Sequence, residues 1–231
     1  MKLRVLDLFA GIGGFSLGLE RTGGFETVAF CEIEPYAQKV LAKHWPGVPI
    51  YDDIRELTAE RLAGDGVSVD VITGGFPCQP HSNAARGRNP EDVMAPEFGR
   101  VIWQINPRFV IAENVNPKAF PEWFVGGLRA LGYAVYAKCI SAADAGAPHR
   151  RNRWWLCAYP NDDGELPSAI DAEASELQGV CEGIWGAENY ARAVGVSDGL
   201  PHRAHRIKCL GNTVMPQIPQ ALGRAILEVA A

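Results

Sequence analysis

Short apolar runs alternate with stretches of helical spacing through the first 160 residues. Runs at 5–9, 27–31, 69–73, 109–112, 134–140 and 154–158 are rich in Val, Ile, Phe, Trp and Ala. Several are apolar almost without a break, as strands buried on both faces of a parallel sheet are. Between them, residues 14–22, 35–44, 59–63, 97–105 and 122–131 carry helical periodicity. This alternation predicts an α/β domain, a mostly parallel sheet with helices on both faces. A proline-started helix over 216–230, with Ile218, Leu222, Ile226 and Val229 on one face, closes the chain against the sheet.

Residues 160–200 break the pattern. They are rich in Gly, Ala, Asp and Glu, and predict a loop-rich insertion with one short helix around 172–178. The division expected is a catalytic and cofactor-binding part over 1–159, a small insertion over 160–205, and a return to the catalytic part over 206–231.

Composition and charge sharpen this. The 231 residues are 47% hydrophobic with a net charge of −5, an ordinary globular balance and not that of a protein coating nucleic acid through bulk positive charge. Residues 161–199 alone carry −8, which leaves a body of +3. The N-terminal apolar run is interrupted by Asp7 and four glycines, unlike a secretory signal. No stretch approaches the roughly 20 charge-free apolar residues of a membrane span. The six cysteines form no C-x-x-C pair, which favours a reducing compartment; the expectation is a cytoplasmic protein.

In an open parallel sheet the ligand site lies beyond the carboxyl ends of the strands. Three loops there carry unusual chemistry. In VLDLFAGIGGF, Gly11, Gly13 and Gly14 follow a strand and open a helix, and Glu32 closes the second strand at the spacing of an acid that accepts ribose hydroxyls. Asp53 follows the next extended run. A structural turn is the plain alternative; the glycines and Glu32 together point to a nucleoside-containing cofactor. In DVITGGFPCQPHS, Cys78 is held between prolines on a constrained loop, the position of a nucleophile. Cys31, Cys139 and Cys157 fall in apolar strands and read as small buried hydrophobes. In RFVIAENV, Glu113 ends a core strand, either as a salt-bridge partner or as a carboxyl whose burial raises its pKa for proton donation.

Basic clusters at 149–153 and 202–208, with Arg86 and Arg88, offer a rim for phosphates. His202, His205 and Cys209 have spacing a zinc ion accepts, but no second ligand cluster accompanies them, and no metal is expected.

DLFAGIGG, GGFPCQP, ENV, HRRNR and LGNTVMPQ occur in the order found in the DNA (cytosine-5) methyltransferases, which this sequence resembles over most of its length. The resemblance implies a methyltransferase-type Rossmann-like fold, S-adenosylmethionine as cofactor, double-stranded DNA as partner and a monomer. It places the cofactor against Asp7, Phe9, Gly11, Gly13, Gly14, Glu32, Ile33, Asp53, Ile54, Phe76 and Pro77, with Asn212 and Val214 at its edge. Cys78 is then the nucleophile adding to C6 of a flipped-out cytosine, Glu113 the group at N3, and Arg151 and Arg153 the residues orienting the base or Glu113. Gln79, Ser82, Arg86, Arg88, Arg203 and Arg206 are the expected DNA contacts.

The chain departs from the family in three places. His149 stands where the family has Gln, and His81 where it has an aromatic residue. Residues 160–205 stand where a larger target recognition domain is usual. Two alternatives follow: a tRNA cytosine-5 methyltransferase, whose branch carries a Cys-Phe-Thr element absent here, and a catalytically silent member that binds cofactor or DNA. Residues 161–199 are expected to face away from the phosphates or to be poorly ordered, leaving base contacts to Arg86, Arg88 and the 202–208 cluster.

Overall fold

The computed structural model describes residues 1–77, 94–147, 151–160, 164–180 and 212–230. Seven strands, β1 (Leu3–Leu8), β2 (Phe25–Cys31), β3 (Ile50–Tyr51), β4 (Val71–Gly74), β5 (Phe109–Asn114), β6 (Tyr133–Ser141) and β7 (Asn152–Pro160), form one sheet in the order β3-β2-β1-β4-β5-β7-β6. The first five are parallel, and β7 runs antiparallel to both β5 and β6. The expected mostly parallel α/β architecture is thus the observed one.

Among the described residues the α-helices are α1 (Gly14–Glu20), α2 (Pro35–His44), α3 (Ala59–Gly64), α4 (Ala95–Ile105), α5 (Glu122–Ala130), α6 (Leu166–Val180) and α7 (Gln217–Ala230). Strand alternation sorts the core onto two faces. Val5, Ile111, Trp155 and Cys157 pack with residues of α1, α6 and α7. Leu6, Leu8, Ile72, Val110 and Ala112 pack with residues of α3, α4 and α5. Burial on both faces explains why the central strands read as unbroken apolar runs.

The acidic stretch corrects the sequence reading. Residues 166–180 are one helix of 15 residues, longer than the short helix expected in a loop-rich insertion. Leu166, Ile170, Ala174 and Leu177 recur at helical spacing and are buried in the α1–α7 core. Two of its three acids are placed against bases: Asp171 accepts from Lys138 at 2.7 Å, and Glu173 from Arg224 at 2.6 Å. This part of the acidic stretch therefore packs into the core of the sheet domain.

Of the strand cysteines, Cys31 and Cys157 are buried, and burial pushes both thiols up to about 12. Cys139 is exposed, contrary to its reading as a buried hydrophobe, because β6 ends the sheet and turns alternate residues outward. Among the described residues no helix is long and apolar enough to cross a membrane, and no cluster of three metal-binding side chains occurs. Helices α4 and α5 enclose an apolar groove of about 360 Å³ lined by Trp103, Trp123 and Phe124, among others.

Candidate active site

The strand order reverses between β1 and β4, and the loops following β1, β2, β4 and β5 meet at this carboxyl edge, where α/β sheets bind ligands. After β1 the backbone turns left-handed at Phe9 (φ 53°), Gly11 (φ 55°) and Gly13 (φ 84°). Close packing enforces glycine at two of the loop's positions. A Cβ on Gly13 would lie 2.5 Å from the Trp45 ring, and one on Gly14 would lie 2.7 Å from the Val214 carbonyl oxygen. Thr213 and Val214 are therefore seated directly on the glycine loop, and Gly14 and Val214 meet as packing partners.

Glu32, at the end of β2, turns its carboxylate toward this loop. Its Oε2 accepts from the Gly11 N–H at 2.7 Å and its Oε1 from the Glu34 N–H at 2.8 Å, which leaves each oxygen a further lone pair. Ile33 beside it is 65% exposed, an apolar surface held at the loop's mouth. Asp53 caps the short helix over Ile54–Glu56 and is ion-paired with Arg55, which holds its carboxyl below the usual range. Ile54 is buried behind it. Glu32 and Asp53 thus set carboxylate acceptors, and Ile33 an apolar face, beyond the carboxyl ends of β2 and β3, a set of groups that fits a nucleoside.

Asp7 occupies a different place from the one expected. It is fully buried, and strand alternation turns it with Val5 toward α1 instead of toward the crevice. Its Oδ2 accepts from the Ser16 hydroxyl at 2.9 Å and from the Ser16 N–H at 3.4 Å, and its Oδ1 from the Thr73 hydroxyl at 2.9 Å. It joins β1, α1 and β4 beneath the loop, and burial pushes its pKa up to about 7. Asp7 is a support of the glycine loop and not a surface for the cofactor.

The catalytic side is built on β4, β5 and β7. Glu113 stands opposite Trp155 in the β5–β7 ladder, and its Oε1 lies 2.7 Å from Arg153 Nε. The two side chains are 10% and 21% exposed. Burial raises the Glu113 pKa, although the Arg153 and Arg151 guanidinium groups and the Arg153 hydrogen bond pull against it. Its Oε2 faces the loop after β4: a Cβ on Gly75 would sit only 3.1 Å away. Asn114 ties the same loop down, its Nδ2 donating to the Phe76 carbonyl at 3.0 Å. Phe76 is buried against Phe98, Phe120 and Phe124, whereas Pro77 is exposed.

Cys78 follows Pro77 directly, but it lies outside the described residues, as do Gln79, Ser82, Arg86, Arg88, Arg203 and Arg206. Arg153, the second residue of β7, is on Glu113, while Arg151, just before β7, donates to the Thr213 carbonyl at 2.7 Å and so fixes the backbone at Thr213. Asn212, the residue before it, is exposed.

Sequence reasoning missed several supports. Arg100 on α4 donates to the Ile54 carbonyl at 2.6 Å and to the Leu57 carbonyl at 2.9 Å, pinning the loop that carries Asp53. Ser16, Thr73 and Gly75 act at distances of many residues from the groups they touch, and no local spacing announces them.

A model of the C-5 cytosine-specific DNA methylase family matches residues 3–185. The chain belongs to this family. Type II methyltransferase M.HgiBI of Herpetosiphon aurantiacus is 37% identical to it over 165 residues, covering 67% of this chain and 37% of its own. Type II methyltransferase M.HhaI of Haemophilus parahaemolyticus is 32% identical over 169 residues, covering 69% of this chain and 50% of its own. The chain thus spans half or less of the length of these two relatives. Among solved structures, a putative DNA modification methyltransferase encoded within an E. coli prophage superposes with a TM-score of 0.59 at 29% identity, covering 70% of this chain and 47% of its own. The Dnmt2 methyltransferase of S. pombe superposes over 100% of both chains with a TM-score of 0.72; at 18% identity it is a likeness of fold.

Proposed function

We propose that this C-5 cytosine methylase family member transfers a methyl group from S-adenosylmethionine to C5 of cytosine in double-stranded DNA, with Cys78 as nucleophile. The observation that carries the reading is the pair of buried Glu113 with part-exposed Arg153, set against the loop that leads into Cys78, on the same sheet edge as the glycine loop and Glu32.

The cofactor would be held by Gly11, Gly13, Glu32, Ile33, Asp53 and Ile54, and supplies an electrophilic methyl group when bound. Glu32 has acceptors for ribose hydroxyls, and Ile33 offers its exposed face to a purine. C5 of cytosine is a weak nucleophile. Addition of the Cys78 thiolate to C6 forms a C–S bond and makes C5 part of an enamine, which takes the methyl group; loss of the C5 proton and departure of the thiolate restore the ring. Burial raises the Glu113 pKa, which eases its sharing of a proton with N3 as charge develops there. Arg153 fixes the orientation of that carboxyl group. A cytosine inside a duplex is out of reach of such a site, so the base is flipped out, at a cost of a few kcal/mol.

Recognition of the DNA sequence is assigned here to residues 181–205 and to the basic residues Arg86, Arg88, Arg203 and Arg206. Helix α6 is committed to the core, its Asp171 to Lys138 and its Glu173 to Arg224. The chain is read as a monomer.

Labelled methyl transfer to duplex DNA and to tRNA, each with wild type and Cys78→Ser, tests the proposal. Transfer to DNA that is lost in Cys78→Ser is expected. Preferential transfer to tRNA would support the RNA branch, and cofactor binding without transfer to either would mark a silent family member.

A further inference from the structure

Beneath the glycine loop lies a third apolar cluster, separate from the two that pack on the sheet faces. Ala10, Phe30 and Leu41 are its buried members, with Trp45, Val48 and Ile50 against them. Trp45 follows the last residue of α2 and is fixed there by its N–H, which donates to the Leu41 carbonyl at 2.8 Å. Its indole Nε1 donates to Glu20 Oε2 at 2.9 Å, while Glu20 Oε1 accepts from the Thr27 N–H at 3.0 Å. One carboxylate at the end of α1 therefore joins the start of β2 to the end of α2. Phe30 meets the same indole edge to face, centroids 5.3 Å apart. With its near edge held, the ring presents its far edge to Gly13: a Cβ there would meet Trp45 Cη2 at 2.5 Å and Cζ3 at 2.6 Å.

Resting on the reading of this loop as an S-adenosylmethionine cradle, we propose that Trp45 is a positioning residue that holds Gly13, and through it the left-handed turn of the loop, in the cofactor-binding conformation, with Glu20 setting the indole's orientation. A loop that is left-handed at three of five positions has many extended alternatives, and a rigid ring against Gly13 removes them before the ligand arrives. Trp45 touches neither reacting group; it acts through the loop.

Calorimetric binding of S-adenosylhomocysteine by Trp45→Phe, compared with Leu128→Ala on α5 as a remote destabilising control, tests this. Phe keeps an aromatic ring but withdraws the far edge and the Nε1–H. The expected result is about tenfold weaker binding in Trp45→Phe, the effect of a binding-competent loop populated about one-tenth of the time, with kcat at saturating cofactor retained. Leu128→Ala should bind as wild type despite a comparable loss of Tm. Equal weakening in both variants, or wild-type affinity in Trp45→Phe, overturns the proposal. If Trp45→Phe fails to fold, Glu20→Gln carries the test, since it leaves the ring in place and removes one acceptor; a raised KM for the cofactor at unchanged kcat is expected, and unchanged KM overturns the proposal. A wild type that binds neither S-adenosylmethionine nor S-adenosylhomocysteine overturns the reading of the cradle and this proposal with it, whereas binding without methyl transfer leaves the positioning test intact.

Discussion

Replacing Arg153 by alanine isolates the pair on which the catalytic reading turns. The mutation leaves the Glu113 carboxyl, 10% exposed, without the guanidinium 2.7 Å away. Removing one partner of a fully buried pair costs about 3–5 kcal/mol, and the partial exposure of Arg153 reduces this to about 2–4 kcal/mol. For a chain of this size the corresponding fall in Tm is about 5–15 °C. The loss must depend on pH. Glu113 is already shifted upward by burial against the pull of Arg153, and without that arginine it shifts further. An acid with a folded pKa above its unfolded value holds extra protons when folded, so its contribution to stability is full below the unfolded pKa and is lost as pH rises through the folded one. The deficit of Arg153→Ala relative to wild type should accordingly be small at pH 5 and large at pH 8. Urea unfolding at both pH values, with Glu113→Gln and the double variant completing a cycle, gives the coupling directly. A deficit independent of pH, or additive single variants at pH 8, would refute the argument.

Three further outcomes follow from particular contacts. Asp7→Asn removes a group that titrates near 7 and whose stabilising contribution fades as pH rises through that value; the variant should gain on wild type between pH 5.5 and 8.5 in urea midpoints, and parallel curves would show that Asp7 does not titrate there. Gly13→Ala places a Cβ 2.5 Å from Trp45 on a left-handed residue, so it should cost about 1–2 kcal/mol from the backbone alone and abolish S-adenosylhomocysteine binding measured by calorimetry. Leu177→Ala on α6 should destabilise the catalytic body by about 2–4 kcal/mol in urea unfolding, and an unchanged midpoint would mean that α6 is dispensable to the core.

The sheet was legible because its strands are covered on both faces and so spell continuous apolar runs, with glycine loops and acids marking their carboxyl ends. Glu32 and Glu113 stand where that reasoning put them. Helix α6 was legible only as a short helix, and its length and burial were not, because its stripe of Leu166, Ile170, Ala174 and Leu177 includes one alanine and is interleaved with acids that look like a solvated loop. Only the fold brings Lys138 and Arg224 to those acids and α7 to that stripe. Asp7 misled for a related reason: position in the DLFAG motif suggests a ligand contact, whereas strand alternation decides which way the side chain turns. Trp45 carried no signal, since it follows the end of a helix and its partners Gly13 and Glu20 are distant in sequence.

The central claim, a Cys78-initiated attack on cytosine in DNA, is tested most directly by incubating the protein with S-adenosylmethionine and duplex DNA containing 5-fluorocytosine. Fluorine at C5 blocks the final proton loss, so the account predicts a denaturation-resistant protein–DNA adduct that maps to Cys78 and is absent in Cys78→Ser. Absence of an adduct from protein shown to bind the cofactor, under conditions where a related methyltransferase is trapped, would contradict it.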